Sequence, residues 1–151
     1  MHLIFGGAYQ GKLDYARERY QLKEQDIFCC SAEERDAADA GGIETGPSCV
    51  PETNFIDHTP EIDFTKKAID RLEEFVLRCV RFGVEPRDYL ELNREKWKNM
   101  VFICTDISLG VVPCDKEQRA WREMVGRTLT YLGKEAEEVT RLFCGIPQRV
   151  K

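Results

Sequence analysis

The sequence predicts an α/β protein with an open, mostly parallel β-sheet and helices on both faces. Short apolar segments typical of buried strands alternate with segments whose apolar residues recur at helical spacing, and no segment is repeated along the chain. The first apolar segment, residues 3–5, runs into a glycine-rich turn and then a predicted helix from Lys12 to about Leu22. Because residues 27–30 predict another buried strand, this beginning has the order of a βαβ unit.

The middle of the chain predicts fewer regular elements. Residues 31–53 combine an acidic run with several glycines and prolines, which leaves room for at most one short helix followed by a loop. Residues 54–58 predict a short strand, and Thr59 and Pro60 predict the cap and first position of a helix that ends at Gly83. The apolar stripe of that helix is Ile69, Leu72, Val76, Cys79 and Val80.

The second half predicts two more helices and two more strands. A helix begins near Pro86 and carries Tyr89, Leu90 and Trp97, and residues 100–104 predict the next buried strand. Residues 110–113 interrupt the pattern. A long helix then presents one apolar face, despite two internal glycines, and residues 142–144 predict a closing strand; that face is Ala120, Trp121, Met124, Val125, Leu129, Leu132 and Ala136.

Length and composition predict one soluble globular domain over residues 1–151. Hydrophobic residues make up 42% of the chain and charged residues 32%, which allows a buried core under a charged surface. The formal net charge is -5, the wrong sign for a protein that binds the phosphate backbone of nucleic acid. We therefore expect no nucleic-acid partner.

The sequence also predicts a cytoplasmic protein without a membrane partner. It begins with no basic region followed by an apolar stretch, and its longest apolar run is too short to cross a bilayer. The seven cysteines are odd in number and form no C-x-x-C pair. We expect them to be reduced, with Cys79, Cys104 and Cys144 in the core, and we expect no structural zinc.

A phosphate-binding motif occupies the first turn. The sequence Gly6-Gly7-Ala8-Tyr9-Gln10-Gly11-Lys12 fits the G-x-x-x-x-G-K pattern and lies between a predicted strand and a predicted helix. In such a loop successive backbone N–H groups point at phosphate oxygens, the helix N-terminus adds its positive dipole, and the lysine reaches the terminal phosphates. The alternative is a glycine-rich turn with a solvated lysine, but the spacing and the context favour a polyphosphate site.

The motif lacks its last residue, because Leu13 stands where a serine or threonine hydroxyl would bind Mg²⁺. Leucine has no ligand atom. Asp14 comes next but points about 100° further round the helix, so it is a poor substitute. Because the metal neutralises charge that develops during phosphoryl transfer, this loss threatens catalysis more than nucleotide affinity.

Further motifs give the chain a family resemblance. The Gly-Gly-Ala-x-x-Gly-Lys loop, residues 110–113, Trp121-Arg122-Glu123 with Gly126-Arg127, and residues 145–151 occur in the order of the bifunctional adenosylcobinamide kinase/adenosylcobinamide-phosphate guanylyltransferase family of cobalamin biosynthesis. The sequence resembles that family over about the first 30 and the last 50 residues. The resemblance implies a RecA-like P-loop fold and phosphorylation of an aminopropanol hydroxyl by ATP or GTP with Mg²⁺. It also implies transfer of GMP through a guanylylated histidine.

The middle of the chain departs from the family. The family carries its guanylylated histidine on a helix after the second strand, but residues 31–53 contain no histidine. The sequence contains two histidines, His2 and His58, and the position of His58 is more typical of a strand-end or capping residue than of a nucleophile. We therefore expect the guanylyltransferase activity to be lost.

Two acidic residues are candidates for the carboxylate that a P-loop site needs near its magnesium ion. Asp57 ends a predicted strand and is the candidate Mg²⁺ ligand, although it could equally cap the following helix. Asp106 follows the strand that ends at Cys104. With Lys12 these are the candidate catalytic residues, and residues 6–13 are the candidate nucleotide-binding residues. Arg122 and Arg127 are further candidates for anion contacts, although surface pairing is the more common role of helix arginines.

Two hypotheses of different class follow. In the first, the chain is an adenosylcobinamide kinase-like enzyme of cobalamin biosynthesis or salvage that binds a nucleoside triphosphate and a corrinoid substrate. In the second, it is a non-catalytic nucleotide- or corrinoid-binding regulator that has kept the shape of the loop. The sequence also allows a kinase with a different small-molecule substrate, and it allows a homo-oligomer.

Overall fold

The computed structural model describes residues 1–31, 60–108 and 110–151. Within them it contains six strands, four α-helices and two short 3₁₀ helices, at Glu24–Asp26 and Arg94–Lys96. The strands are β1 (His2–Gly6), β2 (Ile27–Cys29), β3 (Ala68–Asp70), β4 (Val101–Thr105), β5 (Glu138–Phe143) and β6 (Ile146–Arg149). The helices are α1 (Lys12–Tyr20), α2 (Leu72–Phe82), α3 (Pro86–Leu92) and α4 (Lys116–Glu135).

The strands form one sheet in the order β2-β3-β4-β1-β5-β6. Strand β1 lies between β4 and β5 and is parallel to both, β2, β3 and β4 are parallel to one another, and β6 alone is antiparallel to its neighbour. All the parallel strands therefore end at the same edge of the sheet, where ligands bind in open α/β folds. The predicted fold class, an open and mostly parallel α/β sheet, is confirmed.

Helices cover both faces of this sheet, as the apolar character of its strands predicts. Ile4 and Ile103 point to one face and pack with Ala16 of α1. Leu3 and Phe102 point to the other face, where the main core lies with α2, α3 and α4. The strand predicted at residues 27–30 is present as β2, but at the edge of the sheet it is half-buried rather than buried.

The long helix predicted from Thr59 to Gly83 was wrong in its first half. Residues 68–70 form β3, which pairs with β2 and β4, and α2 begins only at Leu72. Arg71 separates the two elements in the left-handed conformation, with φ +54°. Gly83 ends α2 with φ +66°, as predicted. The strand predicted at residues 54–58 and the loop at residues 31–53 lie outside the described residues, apart from Ser31.

The end of the chain also differs from the prediction. The strand predicted to close the chain is the end of β5, and Cys144 and Gly145 then form a tight turn, with φ +50° and +76°, that leads into the last strand, β6. The prediction that Cys144 lies in the core was therefore wrong, because its side chain is exposed in this turn. Cys79 and Cys104 are buried, as predicted. Strand β6 was missed because its residues are all exposed and show no apolar alternation.

The remaining helices were predicted correctly, with small shifts of their ends. Helix α3 begins at Pro86, but Trp97 follows a 3₁₀ turn, and its Nε1–H donates to the carbonyl oxygen of Leu90 at 2.8 Å. Helix α4 begins after Asp115, whose carboxylate accepts a hydrogen bond from the backbone N–H of Gln118 at 2.8 Å. Among the described residues, no helix has the length and apolarity that a membrane span requires.

Candidate functional site

The glycine-rich turn connects β1 to α1 at the carboxyl edge of the sheet. Gly6 is the last residue of β1, and a Cβ atom there would lie 2.4 Å from the carbonyl oxygen of Leu142, so β1 and β5 approach closely only because residue 6 is glycine. Gly11 precedes the helix with φ +74°, a conformation that favours glycine. Tyr9 is fully exposed and also has a positive φ, +57°.

Lys12 begins α1 and is the central cation of this turn. It is buried, with 9% of its surface exposed, and its Nζ donates to the carbonyl oxygen of Gly7 at 2.7 Å. Burial lowers the pKa of Lys12, and the charges of Glu73 and Asp70 oppose that effect. The charges that act on Lys12 therefore come from carboxylates that lie far from it in the sequence.

Asp70 is one of these carboxylates, and sequence reasoning missed it. It is the last residue of β3, and burial raises its pKa, whereas the backbone hydrogen bond from Arg71 and the charge of Lys12 act in the opposite direction. The signal in the sequence was the short run Ala68-Ile69-Asp70, an apolar pair followed by an acid. It was overlooked because Ile69 also fits the spacing of the α2 stripe.

Glu73, in the first turn of α2, was also missed. Only 6% of its surface is exposed. Its Oε2 accepts a hydrogen bond from the backbone N–H of Thr105 at 2.8 Å, at the end of β4. Its carbonyl oxygen accepts one from Nε1 of Trp121 at 2.7 Å, on α4. Glu73 thus joins α2, β4 and α4 beside the phosphate-loop motif.

A cavity of about 480 Å³ brings these groups together. Its volume lies within the range of small-molecule sites. The loop and the start of α1 supply residues 8–14, β3, α2 and the residue between them supply the charged groups, and the apolar groups lie just after β4 and on α4. The lining beyond residues 8–14 is Asp70, Arg71, Glu73, Glu74, Thr105, Ile107 and Trp121. The candidate nucleotide-binding residues Ala8, Tyr9, Gln10, Gly11, Lys12 and Leu13 are therefore in the lining, whereas Gly6 and Gly7 are not.

Leu13 contacts both the apolar core and the cavity. It is half-buried, packs against the apolar cluster between the sheet and α1, and also lines the cavity. The residue at the position of the usual metal-binding hydroxyl is thus part of the packing of the fold.

Of the two acidic residues predicted from the sequence to act at the site, the structure describes one. Asp106 follows β4, but its carboxylate accepts hydrogen bonds from the backbone N–H and hydroxyl of Ser108 and is not part of the cavity lining. Its proposed catalytic role stays a prediction. Asp57 and His58 lie outside the described residues, so the metal role of Asp57 also stays a prediction.

The two candidate anion-binding arginines have protein partners. Arg122 donates to the carbonyl oxygens of Ser108 and Val111, and so holds the segment after β4 against α4. Arg127 pairs with Glu123 at 2.7 Å on the exposed face of the same helix.

The donor set of the cavity is compatible with Mg²⁺ bound together with a nucleotide. Among the residues that the structure describes, no group of three or more His, Cys, Asp or Glu side chains is arranged to hold a metal ion. Mg²⁺ does not require such a cage, because it is usually bound by one or two carboxylates, phosphate oxygens and water. The lining holds the carboxylates of Asp14, Asp70, Glu73 and Glu74 and the cations of Lys12 and Arg71, and Asp70 and Glu73 are the carboxylates whose charges act on Lys12.

The fold and this cavity define an α/β protein with a buried lysine and two acids under a glycine-rich strand-to-helix turn. Residues 69–150, just over half of the chain, match the family model described as cobinamide kinase / cobinamide phosphate guanyltransferase. The chain belongs to this family, and at that coarse level the match supports a transferase of cobalamin biosynthesis. The match begins at Ile69 and so does not include the glycine-rich turn. A comparison with curated proteins finds no match.

Proposed function

We propose that the chain binds a nucleoside triphosphate at the glycine-rich turn and transfers its terminal phosphoryl group to a cobinamide-type hydroxyl. The observation that carries this proposal is the convergence of Lys12, Asp70 and Glu73 in one cavity at the carboxyl edge of the parallel sheet. A buried ammonium at a helix start provides positive charge for phosphate oxygens. The family membership supports the same reaction.

In this reaction the acceptor hydroxyl oxygen forms a bond to the terminal phosphorus, and the bond from that phosphorus to the bridging oxygen breaks. A nucleoside diphosphate leaves, and the hydroxyl proton passes to water. Lys12 stabilises the negative charge on the phosphate oxygens. Asp70 and Glu73 would hold Mg²⁺, which when bound offsets charge on the outer phosphates.

The second activity of the family, guanylyl transfer, is absent from this proposal. A covalent guanylyl intermediate of the family type needs an imidazole near the α-phosphate. His2 is the first residue of β1, at the edge of the sheet opposite to the glycine-rich turn. The expected histidine of residues 31–53 does not exist in the sequence.

A non-catalytic regulator is the second candidate, and Leu13 is the observation that favours it. Loss of the hydroxyl at that position removes a metal ligand without removing the phosphate-binding lysine. Such a protein would bind the triphosphate without phosphorylating an acceptor.

Incubation with adenosylcobinamide, Mg²⁺ and ATP or GTP distinguishes the two candidates. Chromatographic separation of the phosphorylated corrinoid measures the kinase reaction, and isothermal titration with a non-hydrolysable triphosphate measures binding. Sustained product formation that Lys12→Ala abolishes supports the kinase. Triphosphate binding without product supports the regulator, and the absence of both would refute the proposed nucleotide site.

A further inference from the structure

The cavity has an apolar wall in addition to its charged groups. Ile107, just after β4, and Trp121, on α4, both line it and both pack at their other side against the main core. Trp121 is half-buried, whereas Trp97 has only 2% of its surface exposed and belongs to the core alone. The described chain therefore contains one tryptophan that supports the fold and one that also faces the candidate site.

The indole ring of Trp121 has a fixed orientation. Its Nε1–H donates to the carbonyl oxygen of Glu73 at 2.7 Å, so the single polar group of the ring is already satisfied by the protein. The accessible part of the ring is thus apolar. Aromatic surfaces of this kind bind flat or apolar groups by stacking and burial.

The position of Trp121 indicates which ligand would contact it. In a loop of this type the lysine binds the terminal phosphates, so Lys12 marks the end of the triphosphate that is furthest from the nucleobase. Glu73 lines the same cavity as Lys12, and the indole N–H of Trp121 donates a hydrogen bond to the backbone carbonyl oxygen of Glu73. A group that contacts Trp121 therefore lies beside the transferable phosphate rather than beside the base.

We propose that Trp121 and Ile107 form an acceptor subsite, in which they bind an apolar or flat part of the molecule that receives the phosphoryl group. This inference rests on the proposed nucleotide site. The cavity of about 480 Å³ has room for phosphates and one end of an acceptor, so the remainder of a large acceptor extends into solvent. Trp121 then determines acceptor specificity and leaves triphosphate affinity unaffected.

Equilibrium dialysis tests the subsite without requiring turnover. Cobinamide is the probe, its visible absorbance is the readout, and a non-hydrolysable triphosphate is present throughout. We expect Trp121→Ala to weaken cobinamide binding about tenfold, Ile107→Ala about threefold, and Trp121→Phe less than about threefold, because phenylalanine keeps an aromatic wall. Phe143→Ala is the matched control, since Phe143 is an exposed aromatic residue outside the cavity lining.

Triphosphate affinity and melting temperature, measured on the same variants, separate an acceptor contact from a structural role. If Trp121 served only to anchor Glu73 through its N–H group, Trp121→Phe would be as harmful as Trp121→Ala, and the inference would be wrong. Wild-type protein that binds the triphosphate but not cobinamide would also overturn it and leave the proposed nucleotide site intact. If Trp121→Ala does not fold, unchanged cobinamide binding by Ile107→Ala contradicts the subsite.

Discussion

Charged side chains are concentrated in two regions of the molecule, and the regions differ in how far those side chains are exposed to water. The groove between α3 and α4 is the larger, with a volume of about 930 Å³ against about 480 Å³ for the cavity under the glycine-rich turn. In the groove, Glu91 pairs with Arg94 at 3.2 Å, Arg94 also pairs with Glu135, and the hydroxyl of Tyr131 donates to Glu91. The charges there neutralise one another at the surface.

The smaller cavity has the opposite arrangement. The side chains of Lys12 and Glu73 are nearly inaccessible to water. Burial lowers the pKa of Lys12 and raises the pKa of Asp70, and both shifts favour the neutral form of the group. Exposed ion pairs contribute little to stability, whereas buried and incompletely paired charges are costly and cluster at functional sites. The burial of the charged groups, rather than the volume of the depression, therefore identifies the candidate site.

Replacement of Lys12 by Ala should have the largest effect. It should weaken ATP or GTP binding by more than about tenfold, because a charge-assisted phosphate contact is worth roughly 1.5–3 kcal/mol. Isothermal titration measures the affinity. Lys134→Ala is the control, since Lys134 is an exposed lysine of the α3–α4 groove, and it should leave the affinity unchanged. An equal loss in both variants would contradict the distinction between the two regions.

Asp70→Asn should weaken magnesium-dependent nucleotide binding by about fivefold and, at neutral pH, raise the melting temperature. The pKa of Asp70 is raised in the folded state, so the wild-type carboxylate is destabilising when ionised. The wild-type protein should therefore lose stability as pH rises through the folded pKa, and the advantage of the variant should vanish below the ordinary pKa of 3.8.

Thermal unfolding of both proteins between pH 3 and 8 checks the stability effect, with magnesium titrations at neutral pH for the binding effect. A variant that is less stable than wild type at neutral pH would show that the hydrogen bond and charge contacts of Asp70 outweigh its burial.

Leu13→Ser should have a mixed and smaller effect. Because Leu13 is half-buried against the α1 side of the sheet, we expect the free energy of unfolding to fall by about 1–2 kcal/mol, less than for a fully buried leucine. Because the new hydroxyl lies at the helix start beside the cavity, magnesium should strengthen nucleotide binding more than in the wild type. Lower stability without a gain in magnesium dependence would favour the non-catalytic regulator.

We expect no covalent guanylylation of the protein. Incubation with labelled GTP should leave no covalent guanylyl group on the protein, because His2 lies at the opposite edge of the sheet and residues 31–53 contain no histidine. Denaturing electrophoresis detects such a label. An acid-labile label that His58→Ala removes would contradict the prediction and assign the nucleophile to His58.

Much of the fold could be predicted from the sequence because the deciding signals are local. The apolar run of β1, the glycines and lysine of the turn, and the apolar face of α4 each indicate their own element. The family resemblance rests on motifs that are likewise contiguous. These patterns were sufficient to predict the fold class, the position of the glycine-rich loop, and Lys12 as the candidate phosphate-binding residue.

The carboxylates of the site could be identified only from the tertiary structure. Ile69 fits the helical spacing of Leu72, Val76 and Cys79, so periodicity alone extends the helix through residues 68–70. Those residues form a strand because β2 and β4 supply hydrogen-bond partners on both sides, and strand formation depends on such neighbours more than on intrinsic preference.

Only after that pairing does Asp70 lie at the carboxyl edge of the sheet beside Lys12. The sequence by itself therefore determined the loop and the order of most elements. The tertiary structure decided which acids and which tryptophan face the loop, because those side chains come from separate elements that only the packed sheet brings together.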